Sequence, residues 1–236
     1  MFELAVRNVR FFTPEIYELS LERGEYVFTP GQCAVLFTST GDSRPYSLAS
    51  GPEEPVLRFL IRRARKGSVS TWLATRRPGD VVRVSLPFGD FRPGGKGPAS
   101  VFVATGVGIA PFLSVLRSSR DAQSAVLCLY GVRYHRDAVE LSLLRQHTTL
   151  QLAVSREPAE GETHQGRLTG LLETVTLPDD ADFFLCGYDA MTDEAFDLLR
   201  ARGVPAERIH TEVFFSVQTL RNGFNPRSPV RQSGSG

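Results

Sequence analysis

The stretch Arg44-Pro45-Tyr46-Ser47-Leu48-Ala49-Ser50 gathers a guanidinium, a phenol and small hydroxyls at neighbouring positions of strand-like sequence, just behind the turn signal Thr40-Gly41-Asp42. A fixed positive fork suits a phosphate, an aromatic face suits a flat ring or a sugar, and a small hydroxyl hydrogen-bonds a heteroatom without covering it. A second set lies further along. Thr105-Gly106-Val107-Gly108 follows an apolar run, and Pro111 sits near the first helical position, where its missing N–H costs nothing. Such a glycine turn lets backbone approach a pyrophosphate. Arg133, Ser155 and Arg156 follow two more apolar runs, with Arg167 a short loop beyond; their guanidinium forks suit a phosphate monoester. Cys186 ends another run and Glu212 lies in the last one. Taken singly, each feature has an ordinary structural explanation: a tight turn, a solvated arginine, a small buried thiol.

The elements that must position these residues fall into two textures. Up to about residue 91, short alternating or β-branched runs (FELAVRNV, EIYELSLE, CAVLFTS, PVLRFLIRR, DVVRVSL) recur between turn signals and predict a small antiparallel β-barrel with one helical insert, SVSTWLATR, over 68–76. RPGGKGP, residues 92–98, reads as a linker. Beyond it ASVFVAT, SAVLCLY, TLQLAV, DFFLCG and RIHTEVF alternate with PFLSVLRSS, AVELSLLRQ, LTGLLETV and DAMTDEAFDLLRARG, which implies an α/β doubly wound parallel sheet. Ligands of open α/β sheets bind at the carboxyl ends of the strands. The glycine turn, the arginines, Cys186 and Glu212 therefore meet along one rim, which a 2'-phosphorylated dinucleotide fits best.

Composition bounds the alternatives. A chain of 236 residues accommodates two domains, and a formal charge of +1 argues against a general nucleic-acid binder. Cys33, Cys128 and Cys186 have no spacing suited to a disulfide framework, zinc or an iron–sulfur cluster, so we expect no metal and a reducing, cytoplasmic setting. The charged amino terminus is unlike a signal peptide. The uncharged run 97–116 has glycines and a proline in its middle and reads as strand, turn and helix start, not a membrane span. The boundaries expected are 1–93 for the barrel, 99–215 for the α/β domain and 216–236 for a flexible Pro/Ser/Gly-rich extension.

RPYSLAS, KGSVST, PFGDF, ATGVGIAPFLSVL, YGVRYHRD, SRE…GRLT, CGYDAM and TEVFF, in that order, resemble the motifs of the ferredoxin-NADP reductase family of flavoproteins, over nearly the whole chain through residue 215. The resemblance implies a Greek-key flavin-binding barrel followed by an NADP-binding domain. It assigns Arg44 to the flavin pyrophosphate, Tyr46 to packing on the cofactor and Ser47 to the flavin N5. Gly67, Val69 and Ser70 become the pyrophosphate-binding turn, so FAD is implied in preference to FMN. Thr105, Gly106, Gly108 and Pro111 become the nicotinamide-nucleotide turn; Arg133, Ser155, Arg156 and Arg167 hold the 2'-phosphate of NADPH; and Cys186 and Glu212 flank the nicotinamide. Phe214 stands where many members carry a tyrosine that stacks on the flavin, and the chain continues for residues 216–236 where many relatives stop.

The implied activity is passage of electrons between NADP(H) and a one-electron carrier, ferredoxin or flavodoxin, by a monomer. A reductase component of an oxygenase, a diaphorase acting on quinones, and a non-enzymatic flavin-binding electron-transfer subunit stay open. Arg58, Arg62, Arg63, Arg65 and Lys66 form a basic run that either attracts an acidic carrier or is a solvated strand end.

Overall fold

Strands β1 (Phe2–Phe11), β2 (Ile16–Glu22), β3 (Cys33–Phe37), β4 (Ser43–Ser47), β5 (Val56–Arg62) and β6 (Val81–Val84) form one antiparallel sheet in the order β4-β3-β6-β1-β2-β5. The computed structural model describes residues 1–64, 68–93, 99–118 and 125–212, with Ser68 and Ala125 by backbone alone. The sheet curls until its ends meet: Leu48 bridges Phe59, and the Ala49 N–H donates to the Arg58 carbonyl at 2.8 Å. Closure removes the exposed edges that an open sheet would present. Leu19, Leu21, Leu36, Leu57, Phe59 and Ile61 fill the interior with no exposure. Each such side chain contributes about 1.5–3 kcal/mol by burial. Helix α1 (Ser68–Ala74) packs Val69 and Leu73 into this core.

Past residue 98 the sheet is parallel. Strands β7 (Ala99–Thr105), β8 (Ala125–Val132), β9 (Thr149–Val154), β10 (His164–Gln165), β11 (Ala181–Cys186) and β12 (Ile209–Glu212) lie in the order β10-β9-β8-β7-β11-β12. The connections carry α2 (Ala110–Leu116), α3 (Leu141–His147), α4 (Leu168–Thr174) and α5 (Asp189–Ala201). Successive residues of β7 serve opposite faces, as strand geometry requires. Val101 and Val103 pack with Leu168, Leu172, Ala195 and Leu199 under α4 and α5. Phe102 and Ala104 pack with Phe112 and Leu144 under α2 and α3, in a core that also takes Ile16, Ala49, Leu60 and Phe91 from the barrel side.

The domains are thus joined by shared apolar packing, and a charged seam reinforces it. Glu18 of the barrel, 3% exposed, accepts from Arg58 at 2.7 Å and lies 3.8 Å from Arg117 at the end of α2. Arg117 also donates to the Ala49 carbonyl at 2.7 Å, and Ser114 Oγ donates to the Ser50 carbonyl at 2.7 Å. A carboxylate so deeply buried requires such partners, because breaking a buried pair costs about 3–5 kcal/mol.

Two local details depart from the sequence pattern. AVELSLLRQ was expected to be helical from residue 138, but α3 starts at Leu141 because Glu140 takes the left-handed conformation (φ 54°). Its carboxylate bridges Arg10 at 3.6 Å and Arg117 at 3.4 Å, contacts that compensate the backbone strain. The two-residue β10 was not anticipated. The proposed extension 216–236 lies outside the described residues.

Candidate functional site

On the barrel side, β3 and β4 set the side-chain directions. Their antiparallel register pairs Leu36 with Arg44, Ala34 with Tyr46, and Cys33 with Ser47. Arg44 and Tyr46 therefore share one face of β4 and Ser47 takes the other. Tyr46 packs against the barrel core, and burial pushes its phenol up to about 12 while the neighbouring Arg44 charge opposes the rise. The Arg44 guanidinium donates to the Ser43 carbonyl at 2.8 Å and has no carboxylate partner among the described residues.

Val69 and Ser70 occupy the first turn of α1, whose N–H groups have no acceptor within the helix. Val69 turns its side chain into the core, and Ser70 Oγ accepts the Ala64 N–H at 3.0 Å, which leaves its own O–H free to donate. Tyr17 joins this turn to β4: its hydroxyl donates to the Ser70 carbonyl at 2.5 Å, and its phenol feels that of Tyr46. A guanidinium with no carboxylate partner among the described residues, a flat ring and open N–H groups on adjoining elements fit a flavin dinucleotide. Gly67 lies outside the described residues.

On the α/β side, β7 is the strand where the winding reverses, with β8 on one flank and β11 on the other. Crevices form at such a switch point. Gly106 takes φ +54° and opens a short 3-10 turn over Gly106–Ile109. At Gly108 an added Cβ would stand 2.5 Å from the Cys186 carbonyl oxygen and 2.6 Å from Gly187 Cα, so only glycine lets these two turns touch. Thr105 Oγ1 accepts the Tyr188 N–H at 3.2 Å and ties them together.

The resulting cleft has a volume of about 550 Å³. Of the residues expected from sequence, Thr105, Gly106, Gly108, Arg133, Ser155 and Arg167 line it; Arg62, Tyr188 and Met191 join them. Pro111 is buried in the first turn of α2 and shapes the turn without lining the cleft. The Arg156 side chain is exposed outside the lining, but its N–H donates to the Arg133 carbonyl at 2.9 Å, which locks the two arginine-bearing loops together. Arg133 and Arg156 have no carboxylate partner among the described residues. Arg167 is held by Glu194 at 2.5 Å.

The two halves meet at β12. Its register sets Glu212 beside Cys186, and the Cys33 thiol reaches across from the barrel to donate to Glu212 Oε1 at 3.1 Å. Cys33 Sγ is also 3.6 Å from Ser47 Oγ. Glu212 Oε2 is buried with no hydrogen-bond partner among the described residues. Burial raises the Glu212 carboxyl above its ordinary value, against the Cys33 hydrogen bond and the Arg92 charge, which lower it. Cys186 is fully buried, and that burial pushes its thiol well up, with Glu212 and Cys33 adding to the rise. Ser47, Cys186 and Glu212 are thereby brought to one seam; Phe214 lies outside the described residues. Cys33 was missed, since nothing in its local sequence marks it.

The family model for the oxidoreductase NAD-binding domain matches residues 102–196. Ferredoxin-NADP reductase B of Sorangium cellulosum is 31% identical over 236 aligned residues, covering 89% of this chain and 96% of its own. The chain belongs to the ferredoxin-NADP reductase family. It is an oxidoreductase that binds FAD and NAD(P). The ferredoxin-NAD(P)+ reductase component of the Pseudomonas putida naphthalene 1,2-dioxygenase system is 29% identical, matching 80% of this chain but only 61% of its own length. A crystal structure of the ferredoxin-NADP+ reductase of Neisseria gonorrhoeae with bound FAD and NADP superposes with a TM-score of 0.77 over 89% of this chain and 97% of that one; at 24% identity this establishes the shared fold.

Within this family member the basic run of β5 is largely spent internally. Arg58 is bonded to Glu54 and Glu18, both at 2.7 Å. Arg62 pairs with Glu15 at 3.0 Å and with Asp137 at 3.5 Å while facing the cleft. Arg63 is exposed, and Arg65 and Lys66 lie outside the described residues. No helix among the described residues is long and apolar enough to cross a membrane.

Proposed function

We propose that this chain is an NADPH-dependent FAD reductase that supplies single electrons to a ferredoxin- or flavodoxin-type carrier. The observation that carries this reading is the juxtaposition at the seam: β3 of the barrel and β12 of the parallel sheet meet in the Cys33–Glu212 hydrogen bond of 3.1 Å, with Ser47 of β4 and Cys186 of β11 as their register partners. FAD, when bound, accepts a hydride from the nicotinamide and releases its electrons one at a time. The chain's own residues do the rest by holding and orienting. Arg44 and the first-turn N–H groups of α1 would hold the flavin pyrophosphate, Tyr46 would pack on the cofactor, and Ser47 would offer its hydroxyl to the reacting edge. The Gly106–Gly108 turn would carry the nicotinamide-nucleotide pyrophosphate.

The preference for NADPH over NADH rests on Arg133 and Arg156, whose guanidinium groups lack carboxylate partners among the described residues while their backbones are bonded at 2.9 Å. Unneutralised neighbouring forks suit the 2'-phosphate that only NADPH carries. Three free, buried cysteines support the reading of a reducing, cytoplasmic setting.

The acceptor is a separate protein in this reading, in keeping with the relatives named for ferredoxin. The Pseudomonas relative, named as part of a dioxygenase system, supports a second reading in which the carrier is an oxygenase's ferredoxin. Stopped-flow reoxidation of the NADPH-reduced protein by ferredoxin, by flavodoxin and by a quinone tests the assignment. Faster reoxidation by a protein carrier is expected; equally slow reoxidation by both carriers, with fast turnover on the quinone, overturns it.

A further inference from the structure

We propose that Cys33 is a positioning residue of the hydride-transfer site: its thiol fixes one oxygen of Glu212 so that the other is presented to the amide group of the nicotinamide. The proposal rests on the function given above, and Cys33 itself lies outside the family motifs. Two cross-strand pairs, one from each domain, meet face to face. Cys33 and Ser47 are register partners in the barrel, Cys186 and Glu212 in the parallel sheet. Only the Cys33–Glu212 contact joins the pairs by a hydrogen bond, at 3.1 Å, with Ser47 Oγ 3.6 Å behind the sulfur.

The chemistry of each group fits this division of work. Cys33 is 3% exposed, and burial foremost, with the Glu212 charge next, raises its thiol above the ordinary value, so it remains a proton donor wherever the protein works. A thiol has a single proton to give, and Oε1 takes it. Oε2 is then a buried acceptor with no donor among the described residues. Buried acceptors without partners are rare, and such an atom, on the register partner of Cys186 and so next to the cleft-lining Gly187, calls for a ligand that brings its own N–H. A primary carboxamide supplies that donor. The groups facing the carboxylate among the described residues are Cys33 from β3, Cys186 from β11 and Arg92 from the segment after β6.

The test uses the flavin-loaded full chain and its Cys33→Ser, Cys33→Ala and Glu212→Gln variants, each checked for flavin content and melting temperature. The S–H stretching band lies in an infrared window free of other protein absorption, and Cys33→Ser identifies the Cys33 component. Glu212→Gln should move that component to higher frequency, because a neutral amide oxygen is a weaker acceptor than a carboxylate. In anaerobic single turnovers, Cys33→Ala should slow flavin reduction at saturating NADPH about 10-fold, with little change in KM. Losing the donor removes an influence that lowers the Glu212 pKa, so the acid limb of the rate profile should move to higher pH. Cys33→Ser, which keeps a donor, should restore most of the rate and return the limb.

An S–H component that ignores Glu212→Gln, a Cys33→Ala variant with the parent rate and pH profile, or a Cys33→Ser variant as slow as Cys33→Ala despite normal melting would each overturn the proposal. If NADPH fails to reduce the flavin of the parent protein, the functional reading itself falls and the nicotinamide role with it. The infrared comparison then still decides whether the thiol holds the carboxylate.

Discussion

The Arg156 N–H donates to the Arg133 carbonyl at 2.9 Å, which ties the loop after β9 to the loop after β8. Of the two arginines, Arg133 lines the nucleotide cleft. Arg133→Ala should therefore raise the KM for NADPH by roughly 10- to 100-fold, the loss of a charge-assisted contact worth about 1.5–3 kcal/mol, while the KM for NADH changes little. Glu194→Gln gives the opposite sign: Arg167, freed from its 2.5 Å ion pair, becomes available and the NADPH preference should grow. Steady-state kinetics with both coenzymes checks the pair, and equal effects on the two would assign these residues another task.

The contact between the turns after β7 and β11 predicts a contrast between two glycines. Gly108→Ala places a methyl 2.5 Å from the Cys186 carbonyl oxygen, and backbone cannot yield as a side-chain tip does. Overpacking of this kind costs about 1–3 kcal/mol. The variant should lose nucleotide affinity and melting temperature together while retaining FAD. Gly106→Ala meets open space, but its φ of +54° imposes only the smaller left-handed penalty of about 1–2 kcal/mol. Thermal melting of both variants, with and without NADP+, measures the difference.

Glu212 gives stability a pH dependence of unusual sign for a carboxylate. Its folded-state value is raised by burial above the ordinary 4.5, so the folded protein binds the proton more tightly than the unfolded chain does. That contribution is fully present below the ordinary carboxylate value and is lost as pH rises through the raised one. Glu212→Gln, which mimics the neutral form, should be more stable than the parent above this window and should gain nothing below it. Melting temperature against pH for the two proteins reads this directly; parallel curves would show that the carboxylate is not desolvated.

Much of this was legible beforehand, and the reasons differ by element. Alternation marked the barrel strands, and strand–helix alternation marked the parallel sheet, because both are periodicities of local burial. The rim residues Thr105, Gly106, Gly108, Arg133, Ser155 and Arg167 followed from topology, since parallel strands must end together. The helical pattern over AVELSLLRQ misplaced the start of α3, because the left-handed Glu140 is held by Arg10 and Arg117, which are remote in sequence. The partners of Arg58 and Arg62 were hidden for the same reason: a run of charge says nothing about which carboxylates fold over it. Cys33 was the extreme case, its hydrogen-bond partner lying 179 residues away.

In the proposed function a flavin and a nicotinamide come together where the barrel meets the parallel sheet. Anaerobic titration of the purified protein with NADPH, and separately with NADH, following the visible flavin spectrum, tests it most directly. Prompt, stoichiometric bleaching by NADPH, with NADH required at higher concentration, is the predicted result. A protein that stays colourless when FAD is supplied, or a flavin band that NADPH leaves unchanged, would contradict the account.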